Sequence, residues 1–514
     1  MEGPRLCLGP FVFGDMAMNI EDYLTDRITN ECAKLIRRHH AYHNQTHADY
    51  ERNKRRIVGA PPKQIQVPEY WKVDRKFNPF YVRSKAKAIA KAIARKIDAG
   101  TYTPNDPYRR LIPKAGGGQR ELTIYQIPDA AVSRYFYSRL LEKNRHRFSS
   151  FSYAYRNDRN VHFAIQDITV DLSQDARTFI AEFDFSDFFG SIDHKYLFAQ
   201  FKANGFLISD EEERVICAFL SKREKGIPQG TSISLFLANL VCWKLDKALE
   251  KAGLKFARYA DDTVIWSPDY ASICRSFVIM DNFSREAGVP INARKSDGIS
   301  LLAREGLPTE ITSKQEFGFL GYSIGVSRVS IRDKAEKRIK KQVSYLLYKN
   351  LIQPIKTKPL RGLVIPANNR DKSLLTAMLQ IRRYLYGGLL HRDIVQYIKG
   401  RRRTLHFKGV MSFYPLLNDE AQLRRLDGWL LSVIHRSIQL RARLLLSHNF
   451  DRRSSFPFSV KREKIVQQYR RRRIGGKPLL EVPSFTLIYK ALQRGLKESG
   501  IERVMHPASV KYDY

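Results

Sequence analysis

Two adjacent carboxylates, Asp261 and Asp262, sit within Arg258-Tyr259-Ala260-Asp261-Asp262-Thr263-Val264-Ile265-Trp266. Aromatic and β-branched residues on both sides predict two short strands. Neighbouring residues in a strand point to opposite faces, so adjacent carboxylates converge only where the chain turns. The pattern therefore predicts an acidic hairpin tip at the edge of a buried sheet. An unpaired carboxylate in such a place is costly and calls for a cation. A pair of Mg²⁺ ions would serve, provided another carboxylate arrives from elsewhere in the chain.

Asp184, 77 positions before Asp261, is that carboxylate. It ends the apolar run Thr178-Phe179-Ile180-Ala181-Glu182-Phe183, which reads as a strand, and an aromatic turn with Phe185, Phe188 and Phe189 follows. Three further pieces belong around these acids. Tyr108 to Pro113 and Arg120 to Ile124 predict a hairpin through Gly116-Gly117-Gly118, carrying Lys114 and Arg120. It lacks the spacing of a P-loop; it could close over a triphosphate or be an ordinary exposed basic hairpin. Gly226-Ile227-Pro228-Gln229-Gly230 keeps the backbone irregular before a helix from Leu235 to Lys251, and Gln229 offers an amide to a base or sugar edge. Downstream lie Ile291-Asn292-Ala293-Arg294-Lys295-Ser296 and Phe317-Gly318-Phe319-Leu320-Gly321-Tyr322.

The chain that must position these residues has 514 residues, 89 Lys+Arg against 52 Asp+Glu, a net charge of +37 and a pI near 10.0. That excess implies a polyanionic partner, with nucleic acid ahead of a membrane surface. No apolar run approaches the length of a membrane span. Five scattered cysteines without C-x-x-C spacing indicate a reducing compartment, and the N-terminus lacks the form of a signal peptide, so a cytoplasmic protein is expected. A helix is expected over Ser84 to Ile97, and helices over Ile127 to Lys143, Arg332 to Tyr348, Lys372 to Tyr386 and Glu420 to Leu446. His39, His43 and His47 share one helical face. With Arg37, Arg38 and Arg52 around them and no matching Cys or acidic ligand, an RNA-facing or solvated helix is favoured over a metal site. Phe148 to Arg156 interleaves aromatics with small polar residues, compatible with base stacking or with a core strand.

In this order the blocks from about Arg109 to Ile324 resemble the reverse transcriptases of the group II intron and retron superfamily, with a weaker echo to about Leu446. The resemblance implies an α+β, right-hand polymerase: fingers and a palm with an antiparallel sheet, then an α-helical thumb and a basic helical C-terminal region. The corresponding division is a mainly helical extension (1–98), fingers and palm (99–328), thumb (329–448) and basic C-terminal region (449–514). It implies that Asp184 and Asp261 hold two Mg²⁺ ions, Mn²⁺ being a substitute, together with the carbonyl of Phe185 and with Asp262 as a supporting carboxylate. Lys114 and Arg120 would hold the incoming deoxynucleoside triphosphate and Lys295 the departing pyrophosphate. Gln229 would lie near nucleotide and template, and Phe189 would be the gate against a ribose 2′-hydroxyl. Phe319 to Tyr322 resemble the primer-grip turn.

Ser234-Leu235 departs from the Ser-Pro of intron members, the retron Asn-Ala-x-x-His and Val-Thr-Gly blocks are absent, and no nuclease module follows the thumb. Thr231 to Leu240 is more similar to the bacterial unknown-group enzymes, several of which act in anti-phage defence. The expectation is an RNA-directed DNA polymerase making cDNA from a dedicated, structured non-coding RNA, with a homo-oligomer possible. Untemplated or repetitive DNA synthesis and a non-catalytic RNA-binding scaffold are the alternatives. Tyr512 or Tyr514 could supply a priming hydroxyl, against the reading of a frayed terminus.

Overall fold

The computed structural model describes residues 19–54, 62–113, 117–175, 177–296, 298–303, 313–356, 372–471, 473–474, 477–478 and 480–509. Lys114 and the terminal Tyr512 and Tyr514 lie outside them.

Five strands form the central sheet: β3 (Arg177–Phe183), β4 (Lys255–Tyr259), β5 (Asp262–Ser267), β6 (Ser300–Ala303) and β7 (Ser313–Lys314), in the order β4-β5-β3-β6-β7. All neighbours are antiparallel except β6 and β7. Phe256, Ala257, Val264, Ile265 and Trp266 are all buried. Each large apolar side chain so placed contributes roughly 1.5–3 kcal/mol, so the β4–β5 hairpin is held by its body and its tip can carry charge. Before this sheet, β1 (Tyr108–Pro113) and β2 (Gln119–Ile124) form a separate antiparallel hairpin. After it, β8 (Glu316–Phe319), β9 (Tyr322–Gly325) and β10 (Val329–Ile331) form a three-stranded sheet in the order β10-β9-β8. The molecule is thus the α+β, right-hand arrangement of fingers and palm, followed by a helical thumb.

Helices cover the rest. The Ile233–Lys251 helix is apolar on nearly every side and is buried behind the central sheet. The 35-residue Ile20–Lys54 helix buries Leu24, Ile28, Cys32 and Ile36, spaced by four, among the same helices that back the sheet. Its other end reaches across the molecule, where Asp49 pairs with Lys349 at 2.8 Å just beyond the Asp333–Leu347 helix. The alanines of the Ala86–Asp98 helix, Ala86, Ala90 and Ala94, are buried and let it lie close to the long helix. The helix expected over 84–97 forms as Ala86–Asp98; Ser84 instead closes the preceding Pro79–Ser84 helix, where the Lys85 N–H bonds the Val82 carbonyl. The Lys372–Tyr386, Glu420–Leu446 and Phe485–Ser499 helices share one hydrophobic core with β8–β10 and part of the central sheet.

Candidate active site

β3 ends at Phe183, which faces Thr263 on β5, so Asp184 emerges beside Asp262. Tyr259 pairs with Asp262, leaving Ala260 and Asp261 as the two-residue turn of the β4–β5 hairpin. Ala260 takes a left-handed conformation (φ 60°), the geometry that tight hairpin turns require. Three carboxylates from two chain segments therefore meet at one end of the sheet, as the spacing predicts.

A third segment closes over Asp184. The Asn292 backbone N–H donates to the Asp184 carbonyl (2.8 Å) and the Ser186 N–H to the Pro290 carbonyl (2.8 Å), while Phe185 bridges to Ile291. On the side chain, Asn292 Nδ2 donates to Asp184 Oδ2 at 3.1 Å and Lys295 Nζ donates to the same oxygen at 2.8 Å. The Ser296 hydroxyl accepts from the Asp184 N–H at 3.1 Å. Asn292 and Ser296 are two supporting residues that sequence reasoning did not single out.

Burial and the charge of Asp184 raise the Asp261 carboxyl above its ordinary range, against the pull of Arg120 and Lys295. Crowding by surrounding protein, then the charges of Asp261 and Asp184 and a hydrogen bond with Asp184, push the Asp262 carboxyl up to about 7, although its side chain still reaches solvent. Lys295 is raised, chiefly by its hydrogen bond to Asp184. This is a cluster short of positive charge. Among the described residues no group of three or more His, Cys, Asp or Glu is arranged as a metal cage. The set expected here is smaller: two carboxylates and a backbone carbonyl, all hard oxygen donors of the kind Mg²⁺ takes alongside water and phosphate. The donors and the charge deficit fit such an ion.

The other expected residues that the structure describes lie on segments tied to the same end. The Gln229 carbonyl accepts from the Thr123 N–H of β2 at 2.8 Å, tying the Gly226–Gly230 loop to the β1–β2 hairpin that carries Arg120. Gly230 (φ 118°) lies so close that a Cβ would strike the Thr123 carbonyl oxygen. The other end of the loop docks on the turn after Asp184: the Ile227 N–H bonds the Phe189 carbonyl at 2.7 Å and the Gly226 N–H the Ile192 carbonyl at 2.7 Å. Phe188 is buried, whereas Phe189 is only partly so and meets the Tyr155 ring edge-on at 6.4 Å. The Phe319-to-Tyr322 turn also forms, with Leu320 and Gly321 both at positive φ.

Beneath the acidic turn lies a fully buried ion pair that composition hid. Arg258 donates through Nε and Nη2 to both oxygens of Asp246, at 2.7 and 2.6 Å. Its Nη2 also reaches the Ser152 hydroxyl (2.7 Å), and its Nη1 reaches Asn239 Oδ1 (3.3 Å) and the Ala260 carbonyl (3.2 Å). One guanidinium thus fastens the turn residue before Asp261 to the helix behind the sheet. The Phe148-to-Arg156 stretch joins this support and is no stacking surface: Phe148, Tyr153 and Tyr155 are buried, and Ser152 bridges to Arg258. His39, His43 and His47, expected to share a helical face, are not among any group of three or more His, Cys, Asp or Glu placed to hold a metal among the described residues; His39 packs on Trp71 at 5.3 Å and His43 meets Lys63 at 3.2 Å.

Comparison with known proteins locates the same region. The family model described as "Reverse transcriptase (RNA-dependent DNA polymerase)" matches residues 112–324. The retron Ec86 reverse transcriptase of Escherichia coli is 27% identical over 228 residues, 43% of this chain and 66% of the relative. Protein YkfC of E. coli K12 is 28% identical over 167 residues (30% and 43%), and the retron Mx162 reverse transcriptase of Myxococcus xanthus 25% over 214 (35% and 42%). The chain thus spans two thirds or less of the length of these relatives. An apo telomerase structure from Candida tropicalis aligns over 75% of this chain and 72% of its own with a TM-score of 0.36 at 11% identity. The segment matched by the reverse transcriptase (RNA-dependent DNA polymerase) family model, 112–324, is the one that carries Asp184, Asp261, Asp262 and Lys295.

Proposed function

We propose that this protein is an RNA-directed DNA polymerase that makes cDNA from deoxynucleoside triphosphates on an RNA template. The observation that carries the reading is the meeting of Asp184 with Asp261 and Asp262 at one sheet end, under a basic hairpin and beside Lys295. Asp184 and Asp261, with the Phe185 carbonyl, would hold two Mg²⁺ ions, and Asp262 supports them. Bound there, the ions supply activation of the primer 3′-hydroxyl and neutralisation of phosphate charge. The chain's own work is placement and charge. Arg120, together with Lys114 as the resemblance implies, draws the triphosphate toward Asp261, and Lys295 releases Asp184 to steady the departing pyrophosphate. Gln229, pinned between the hairpin and the aromatic turn, faces the nucleotide and template, while Phe189 fills the space a ribose 2′-hydroxyl needs.

The proposal divides the chain into an N-terminal extension (1–98), fingers and palm (99–328), thumb (329–448) and C-terminal region (449–514). The extension is built into the fingers core and the C-terminal region into the thumb core. A cytoplasmic enzyme working on a structured non-coding RNA in anti-phage defence is the setting we favour, on the relation to retron enzymes and the charge of +37. Primer extension with Asp261→Asn tests the polymerase: synthesis falls by more than about 10²-fold while RNA binding persists. Undiminished synthesis would overturn the assignment of Asp261, and a wild type that binds RNA but extends no primer would leave the non-catalytic scaffold.

A further inference from the structure

The N-terminal extension carries a cluster of rings on elements that hold none of the site residues. His39 of the long helix lies 5.3 Å from Trp71, 6.3 Å from Phe80 and 6.4 Å from Tyr42, and His40 lies 6.1 Å from Phe80. Trp71 and Phe80 are 6.1 Å apart. The cluster is open to solvent where a core would not be: Phe80 is 45% exposed and Tyr42 42%. Phe80 is fixed there rather than flexible, because the Asn78 side chain accepts from its N–H and Pro79 starts its helix. Under the exposed rings, Trp71 is only 8% exposed, and its indole N–H meets no acceptor among the described residues. A buried donor without a partner is a rare and costly state that an arriving acceptor would relieve.

The surroundings are cationic. Lys72 to Lys96 contains nine Lys and Arg but a single acid, Asp74, and Arg37 and Arg38 stand exposed beside His39. One carboxylate cannot neutralise such a run, so a polyanion is the complementary partner. Open ring faces next to cations take unpaired bases by stacking; a duplex hides the faces of its bases. His39 and His40 add ring nitrogens able to bond a ribose 2′-hydroxyl.

We propose that the His39–Tyr42–Trp71–Phe80 cluster holds a single-stranded segment of RNA outside the polymerase cleft. This adds an anchoring site to the RNA-copying reading and rests on it only for the source of the RNA. The test is equilibrium anisotropy with the full chain, no nucleotides, and a labelled 20-nucleotide single-stranded RNA of mixed sequence. Excess unlabelled primer–template duplex keeps the cleft filled. Phe80→Ala combined with His39→Ala should weaken this binding at least about tenfold, and Phe80→Tyr should restore most of it. Extension of a saturating preannealed primer should stay within twofold of wild type. Affinity unchanged in the double variant overturns the site, and equal affinity for DNA of the same sequence overturns its assignment to RNA. Asp261→Asn leaves this binding intact, so failure here and failure of the polymerase reading are told apart.

Discussion

Asp246→Asn is the most informative perturbation of the acidic turn, because it changes no residue in the site. The Asp246 carboxylate is fully buried against Arg258, whose guanidinium also holds the Ala260 carbonyl at 3.2 Å. Removing one partner of a buried pair leaves the other charge uncompensated, a loss of about 3–5 kcal/mol. The strained turn then depends on a guanidinium that has lost its own anchor. A hydrogen bond from a charged donor contributes about 1.5–3 kcal/mol, which as a barrier height is roughly ten- to a hundredfold in kcat. KM for the triphosphate should change little, since Arg120 and Gln229 are untouched. The control is Arg258→Met with Asp246→Leu, which exchanges the pair for apolar groups. Such exchanges recover most of the stability, yet cannot restore the bond to Ala260. Thermal melting should return toward wild type while kcat in primer extension stays low. Full activity in that double variant would refute the positioning role of Arg258.

Three other outcomes follow from particular contacts. Phe189→Val should raise ribonucleotide incorporation in single-nucleotide extension by about tenfold or more while leaving deoxynucleotide use near normal; unchanged discrimination removes Phe189 as the gate. Gly230→Ala forces a side chain against the Thr123 carbonyl at a φ that only glycine adopts easily, at about 1–3 kcal/mol. Activity should fall with displacement of Gln229, and wild-type kinetics would show that the loop does not position it. Burial lowers the His162 pKa to about 4 between Tyr322 and Ser509. The unfolded chain therefore binds the extra proton first, and stability is present above about pH 6.5 and lost as pH falls toward 4, by up to about 3 kcal/mol. The stability difference between wild type and His162→Gln should be level above about pH 6.5 and shift against the wild type by up to about 3 kcal/mol as pH falls toward 4; a difference independent of pH over that range would sink the assignment.

The acidic hairpin, Asp184 and the Gly226–Gly230 loop were legible because their chemistry is local: apolar strands run into acids, and Pro and Gly break the pattern between helices. Lys295 and Gln229 needed the resemblance as well. Arg258 and Asp246 were not legible. In a chain with 89 Lys and Arg a single arginine before an acidic turn reads as surface, and its partner lies twelve positions earlier on a helix. Only the packing of the Ile233–Lys251 helix against β4 shows that both are dry. Phe148 to Arg156 stayed open between stacking and core for a related reason, since alternating aromatics do not reveal which side faces water. The start of the alanine-rich helix at Ala86 rather than Ser84 reflects the preceding helix, which ends at Ser84.

The Ile20–Lys54 helix is anchored at one end in the fingers core and at the other by Asp49 on Lys349. Its 35 residues make a rod about 52 Å long that joins this core to the segment just beyond the Asp333–Leu347 helix. The two fastenings are unequal. The apolar end yields only with the fold, whereas a partly exposed ion pair is worth about 0–1 kcal/mol and weakens with salt. The rod is thus a spacer whose two fastenings answer differently to salt: the ion pair loosens while the apolar end stays seated in its core.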